Sequence, residues 1–190
     1  YTKLSGITID SAHKKISGYV TNGAFVPKDF KNYFVIIFDK PFTGYGTWEN
    51  KNNAILKDNL LASGKGVGAY VQFATGSTIQ AKIASSYISP EQAEITLDKE
   101  LGKYNSFEQT KAAGYKVWNN LLNSVLVEGG TEEEKATFYS CLFRANLFSH
   151  QFFDYNKAGK PAYYSPYDAK IHDGYMYTDN GFWDTFRSQF

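Results

Sequence analysis

Apolar and polar positions alternate along much of the first half of the chain. Val67, Ala69, Val71 and Phe73 alternate with Gly68, Tyr70 and Gln72, and Ile79, Ala81 and Ile83 with Gln80, Lys82 and Ala84. A period of two puts one face of a strand in the core and the other in water. Leu4–Asp10, Lys15–Asn22 and Asn32–Phe38 are further short runs rich in Ile, Val, Tyr, Thr and Phe. Turn residues at Asn22-Gly23, Gly44-Tyr45-Gly46 and Thr75-Gly76-Ser77 punctuate them. Several antiparallel strands in succession predict a β-sandwich.

At Ser89 the period changes. Ser89-Pro90-Glu91-Gln92 reads as a helix start, with Ser at the N-cap, Pro at the first helical position and Gln three residues after the cap. Ala93, Leu97 and Leu101 then recur every fourth residue. A second helix from about Ser106 carries an apolar stripe of Val117, Trp118, Leu121, Leu122 and Val125. Val125–Glu128 reads as a short strand, and Thr131-Glu132-Glu133-Glu134 as a capping box whose acidic first turn suits the helix dipole. Phe138, Tyr139, Leu142, Phe143 and Leu147 mark a largely buried helix to about Phe148. Asn156–Gly159 is a predicted turn between strand-like stretches, and Thr178 or Asp179 caps a last helix. The domain reading is a β-sandwich part over 1–88, a helical linker over 89–126 and an α-helical domain opening over 127–190.

Composition narrows the function. With a formal charge of +1 there is no electrostatic footprint for nucleic acid or an anionic membrane. The longest apolar run, Tyr33–Phe38, is far short of the roughly 20 residues that span a bilayer. The single cysteine, Cys141, excludes an internal disulfide. Fifteen Tyr, fifteen Phe and three Trp bring aromatics to 17%, which directs attention to stacking platforms for flat or sugar-like ligands. The chain opens in a strand-like run without an initiator Met and closes on Phe190 in the second turn of a helix. A segment of a longer polypeptide is therefore expected.

The densest candidate for chemistry is the tail, where Asp184 stands among Phe182, Trp183 and Phe186. On a helix Phe182, Phe186 and Phe190 share one face, and Asp184 and Arg187 are neighbours at i and i+3. One reading is an aromatic core stripe with a surface Asp–Arg pair. The other is a sugar site, since a carboxylate accepts two hydroxyl hydrogen bonds and an aromatic face covers the C–H side of a pyranose. Gly64-Lys65-Gly66-Val67-Gly68 lacks the Walker spacing and leads into a strand, so it reads as a hairpin turn. His13, His150 and His172 lack metal-ligand spacing, and Cys141 falls within a buried helix pattern. Tyr163, Tyr164 and Tyr167, flanking Pro161 and Pro166, either line a cleft or cover the helical domain.

The run Thr178–Arg187 (TDNGFWDTFR) resembles the signature of glycoside hydrolase family 92, the exo-acting α-mannosidases. Tyr33–Trp48 (YFVIIFDKPFTGYGTW), Val67–Phe73 (VGAYVQF), Lys82–Ala93 (KIASSYISPEQA) and Val127–Leu142 (VEGGTEEEKATFYSCL) resemble the same family in the same order. The resemblance implies an antiparallel β-sandwich, a helical linker and the first helices of an incomplete (α/α)6 barrel. It further implies inverting hydrolysis of terminal α-linked mannose on glycans outside the cytoplasm, assisted by calcium. Inversion requires a carboxylic acid and a carboxylate base about 6.5–9.5 Å apart. The resemblance places both, and most calcium ligands, beyond Phe190, so no catalytic and no metal-binding residue is assigned here. Asp184 matches the aspartate that hydrogen-bonds mannose hydroxyls, and Trp183 is a second, weaker substrate-binding candidate. The family's early glycine- and histidine-rich segment would precede Tyr1, so the 190 residues alone are expected to be inactive. The alternative is a non-catalytic carbohydrate-binding sandwich module or an inactive structural fragment.

Overall fold

The computed structural model describes residues 2–22, 27, 30–49, 54–147 and 149–178. They form antiparallel sheets followed by helices, as the alternation predicts. Contacts divide the chain into two compact units, Tyr1–Lys103 with Asp154–Gly174, and Tyr104–Phe153 with Tyr175–Phe190. Residues 89–103 and 154–174 both belong to the strand-rich unit.

In the first unit, β1 (Thr2–Asp10), β2 (Lys15–Asn22), β3 (Lys31–Phe38), β6 (Leu61–Gly64) and β8 (Ala81–Ser86) make a sheet in the order β6-β1-β2-β3-β8. A second sheet, β5-β4-β7, is built from β4 (Gly44–Glu49), β5 (Ala54–Lys57) and β7 (Val67–Gln72). All the strand pairs are antiparallel. The uninterrupted apolar run of β3 is explained by burial on both faces. Val35, 1% exposed, packs with Ile37, Ala84 and the helix residues Ala93 and Leu97. Register places Ile9, Ile16 and Ile36 on the other face, where Ile9 and Ile16 are buried. At one end Phe38, Phe42 and Phe73 join in a three-ring cluster with centroids 5.4–5.6 Å apart.

Two expectations at glycine-rich stretches are corrected here. Gly44-Tyr45-Gly46, expected as a turn, is the start of β4. A Cβ on Gly46 would overlap the Leu56 carbonyl oxygen and come within 2.7 Å of the Tyr70 ring, so glycine makes room for a neighbour here. Gly64–Gly68 is a turn, but it is no hairpin: it carries the chain from β6 in one sheet to β7 in the other. Its glycines supply the left-handed backbone, with φ of 140° at Gly64 and 66° at Gly66. Glycine marks both tight turns and close approaches, and the sequence alone does not separate them.

Helix α1 (Pro90–Leu101) starts as predicted, with the Ser89 hydroxyl accepting the Gln92 N–H at 3.1 Å. It lies on the five-stranded sheet, and Lys15 of β2 pairs with Glu94 at 2.7 Å. A third sheet completes the unit, ordered β10 (Asp154–Tyr155), β11 (Pro161–Ser165), β12 (Lys170–Asp173). The predicted turn precedes β11, where the Asn156 side chain accepts the Lys160 N–H at 3.0 Å.

The second unit holds α2 (Phe107–Leu122), α3 (Glu132–Ala145), β9 (His150–Gln151) and β13 (Tyr177–Thr178). The capping box at α3 is present: Thr131 Oγ1 accepts the Glu134 N–H, and the Glu134 carboxylate accepts the Thr131 N–H at 2.7 Å. The Thr131 backbone and hydroxyl donors hold the Glu134 carboxyl below the usual carboxylate range. Thr131→Ala is expected to cost about 1 kcal/mol of helix stability, read as a lowered urea midpoint.

Val125–Glu128 is not a strand. The Tyr139 hydroxyl donates to the Val125 carbonyl and accepts the Val127 N–H, serving backbone groups that a sheet partner would otherwise serve. Helix α3 ends at Ala145 instead of Phe148, and its expected burial is not found: none of its residues is buried, Cys141 is exposed, and Phe138 and Phe143 are each 37% exposed. Periodicity marks the face that must be covered, and the described part of this unit has too few elements to cover it. Trp118 and Phe143, with ring centroids 4.5 Å apart, join α2 to α3.

Candidate functional site

The tail singled out by its aromatics and lone carboxylate begins on described residues and runs beyond them. Trp183 and Asp184 lie outside the described residues, as does the last helix expected after Thr178 or Asp179. The approach to them is described. Strand β13 pairs with β9, Tyr177 opposite Gln151 and Thr178 opposite His150, and Phe152 N–H donates to the Met176 carbonyl at 2.8 Å. Phe153 sits edge-on to both Tyr175 and Tyr177, at 4.9 and 5.8 Å. The chain therefore enters the motif from a strand fixed by backbone hydrogen bonds and ring packing.

The other sequence candidates stay apart. His13 pairs with Asp10 and His172 with Asp168, each at 2.8 Å on the surface. Tyr163 stacks on His172 and Tyr164 packs against Phe30, while Tyr167 is 90% exposed, so the three tyrosines form no common wall. Among the described residues no three His, Cys, Asp or Glu side chains converge as a metal site. A cavity of about 570 Å³ opens in the first unit, bordered by Gly6, Thr8, Ser17, Tyr19, Glu49 and Ser63. Among the described residues Glu49 is its one carboxylate, and these residues do not supply the pair of acids that glycoside hydrolysis requires.

One polar cluster was missed by sequence reasoning. Asp154 accepts the Ser86 hydroxyl at 2.6 Å and the Thr96 hydroxyl at 3.2 Å. Burial pushes its carboxyl up, these two hydrogen bonds pull it down, and it stays above the ordinary range. Glu100 is also held high, first by burial and then by the charge of Asp154. With both its oxygens engaged, Asp154 is committed to structure. The sequence held no signal for it, because its partners are 58 and 68 residues away.

Comparison with known proteins decides what the tail belongs to. The profile of the Glycosyl hydrolase family 92 catalytic domain matches residues 92–190, and that of the family's N-terminal domain matches residues 2–86. The chain belongs to glycoside hydrolase family 92. Among solved structures, a family 92 inverting mannosidase of Bacteroides thetaiotaomicron shares 40% identity over 98% of this chain, with a TM-score of 0.90. A family 92 α-mannosidase of the same organism shares 25% over 97%, with a TM-score of 0.82. This family 92 chain spans about a quarter of the length of each. No curated protein matches it. Helices α2 and α3 fall within the catalytic-domain match, as the start of the family's helical barrel.

Proposed function

We propose that the protein carrying this chain is an inverting exo-α-mannosidase that removes terminal α-linked mannose from glycans, N-glycans among them. The observation that carries the reading is the 40% identity, sustained over 98% of the chain, to an inverting mannosidase. In this proposal the catalytic acid and the base lie outside these 190 residues. The acid protonates the leaving oxygen while the base activates a water on the opposite face of the sugar. Asp184 is the contribution of this chain: its carboxylate accepts hydrogen bonds from two mannose hydroxyls, and Trp183 packs beside the sugar. Calcium, a hard cation that takes oxygen ligands, would hold sugar hydroxyls. Since no three candidate ligands converge among the described residues, they do not fit as its site, and no step is assigned to it here. The proposal places the protein outside the cytoplasm, where glycans of this kind are met. No helix of the described residues is long and apolar enough to cross a membrane.

The test is to incubate the whole protein with α-linked mannobioses and follow the first-released sugar by proton NMR. β-Mannose should appear first and convert slowly to the equilibrium mixture. Release of α-mannose first, or no hydrolysis of any α-mannoside, would refute the reading.

A further inference from the structure

The face of the five-stranded sheet that receives α1 changes character along its width. Register places Leu61, Thr8, Ser17, Val35 and Ala84 in one row, and Ser63, Gly6 and Tyr19 in the next. Residues opposite one another in a ladder share a face. Over β3 and β8 that face is apolar, and Val35 and Ala84 pack with Ala93 and Leu97 of α1. Over β6, β1 and β2 the same face carries hydroxyls, and there the cavity of about 570 Å³ opens, with Pro90 and Glu49 on its border. A face made to be covered by apolar protein would continue the Val35 pattern, and Thr8, Ser17 and Ser63 break it. The floor is shaped by glycine. A Cβ on Gly6 would come within 2.5 Å of the Tyr19 ring, so the ring lies against the buried Gly6 backbone. Tyr33, at 6.2 Å between centroids, and the Lys31 ammonium, 4.6 Å from the ring centre, pack on that tyrosine.

We propose that this cavity binds a neutral sugar unit of a glycan, held by the Glu49 carboxylate and the hydroxyls of Thr8, Ser17 and Ser63. Among the described residues these four side chains make no hydrogen bond or ion pair within the protein, so their capacity is open to a ligand. A Ser or Thr hydroxyl donates and accepts, as does each hydroxyl of a pyranose, and a carboxylate accepts from two neighbouring hydroxyls at once. Leu61, 63% exposed, and the Tyr19 ring supply apolar surface for the C–H side of the sugar. Glu49 is the single charged side chain on the border among the described residues, which disfavours phosphate and other anions. It also offers a divalent cation one carboxylate where such a cation takes several oxygen ligands. The volume falls within the roughly 300–1,000 Å³ of small-molecule sites. Holding a sugar needs no pair of acids. The sugar class follows from the lining, and mannose as the first probe rests on the mannosidase reading.

The experiment is methyl NMR of the whole protein, labelled at Leu and Thr and titrated with D-mannose, D-galactose and N-acetylglucosamine, none of which hydrolysis consumes. The Thr8 and Leu61 methyls stand at the cavity, and the Leu97 methyls, beneath α1, serve as reference. With at least one of the sugars the Thr8 and Leu61 signals should shift and saturate while those of Leu97 stay. Glu49→Gln should raise the half-saturating concentration about tenfold, for the loss of hydrogen bonds to a charged group, and Ser17→Ala should raise it less. No shift with any of the three sugars, an unchanged affinity in Glu49→Gln, or shifts produced by ethylammonium and by no sugar would overturn the proposal. The two readings fail separately. Shifts without hydrolysis of any α-mannoside would refute the mannosidase and leave the site, whereas hydrolysis without shifts would remove the site alone.

Discussion

On the proposed function, Asp184→Ala in the whole protein is expected to lower kcat/KM for α-mannosides by about 10²- to 10⁴-fold, while the protein stays folded. The estimate rests on losing two charge-assisted hydrogen bonds of roughly 1.5–3 kcal/mol each. A carboxylate that holds a sugar most tightly as its ring distorts contributes to kcat as well as KM, so both should worsen. Arg187, three residues further along the sequence, is expected to act through structure, so its replacement should first lower the thermal midpoint. Turnover near that of the unmodified enzyme in a folded Asp184→Ala protein would remove Asp184 from the sugar site and leave the aromatic-stripe reading of the tail.

The second large effect is on stability. Leu97 is 6% exposed and packs with Val35 and Ala93, joining α1 to the five-stranded sheet. Leu97→Ala should cost roughly 2–5 kcal/mol, the sum of lost burial and the cavity left behind. A urea titration should show the midpoint lowered, and Leu97→Met, which conserves volume, should cost less than about 1.5 kcal/mol. Equal loss in the two variants would mean that shape, and not buried volume, governs this contact. Because α1 also carries Gln92, Thr96 and Glu100, the alanine variant is expected to weaken protection of the β10–β12 sheet as well.

What the sequence showed and hid follows from how far each signal reaches along the chain. The strands β1, β2, β3, β7 and β8 and the starts of α1, α2 and α3 were legible because alternation and capping are local. The strands β4, β5 and β6 were hidden: glycines at 44 and 46 look like turn formers until Tyr70 and Leu56 are seen beside one of them. Val125–Glu128 looked like a strand because its apolar residues were visible and the tyrosine serving its backbone was 12 to 14 residues away. At the tail, chemistry alone left an aromatic core stripe and a sugar site both open. Family membership tips the reading towards the sugar, since Phe182, Trp183, Asp184 and Phe186 would look the same in either role.

The return of residues 154–174 to the strand-rich unit bears on the order of synthesis. On a ribosome, the unit that begins near the start of this chain cannot close until Gly174 has emerged, long after Lys103. At about 5–20 residues per second the intervening stretch takes several seconds to make. During that time Ser86 and Thr96 wait without Asp154, and the α1 side of the nascent sheet is left with its polar cluster half assembled. A chaperone that shields this surface, or a translation rate that shortens the wait, would act on yield without touching the finished fold.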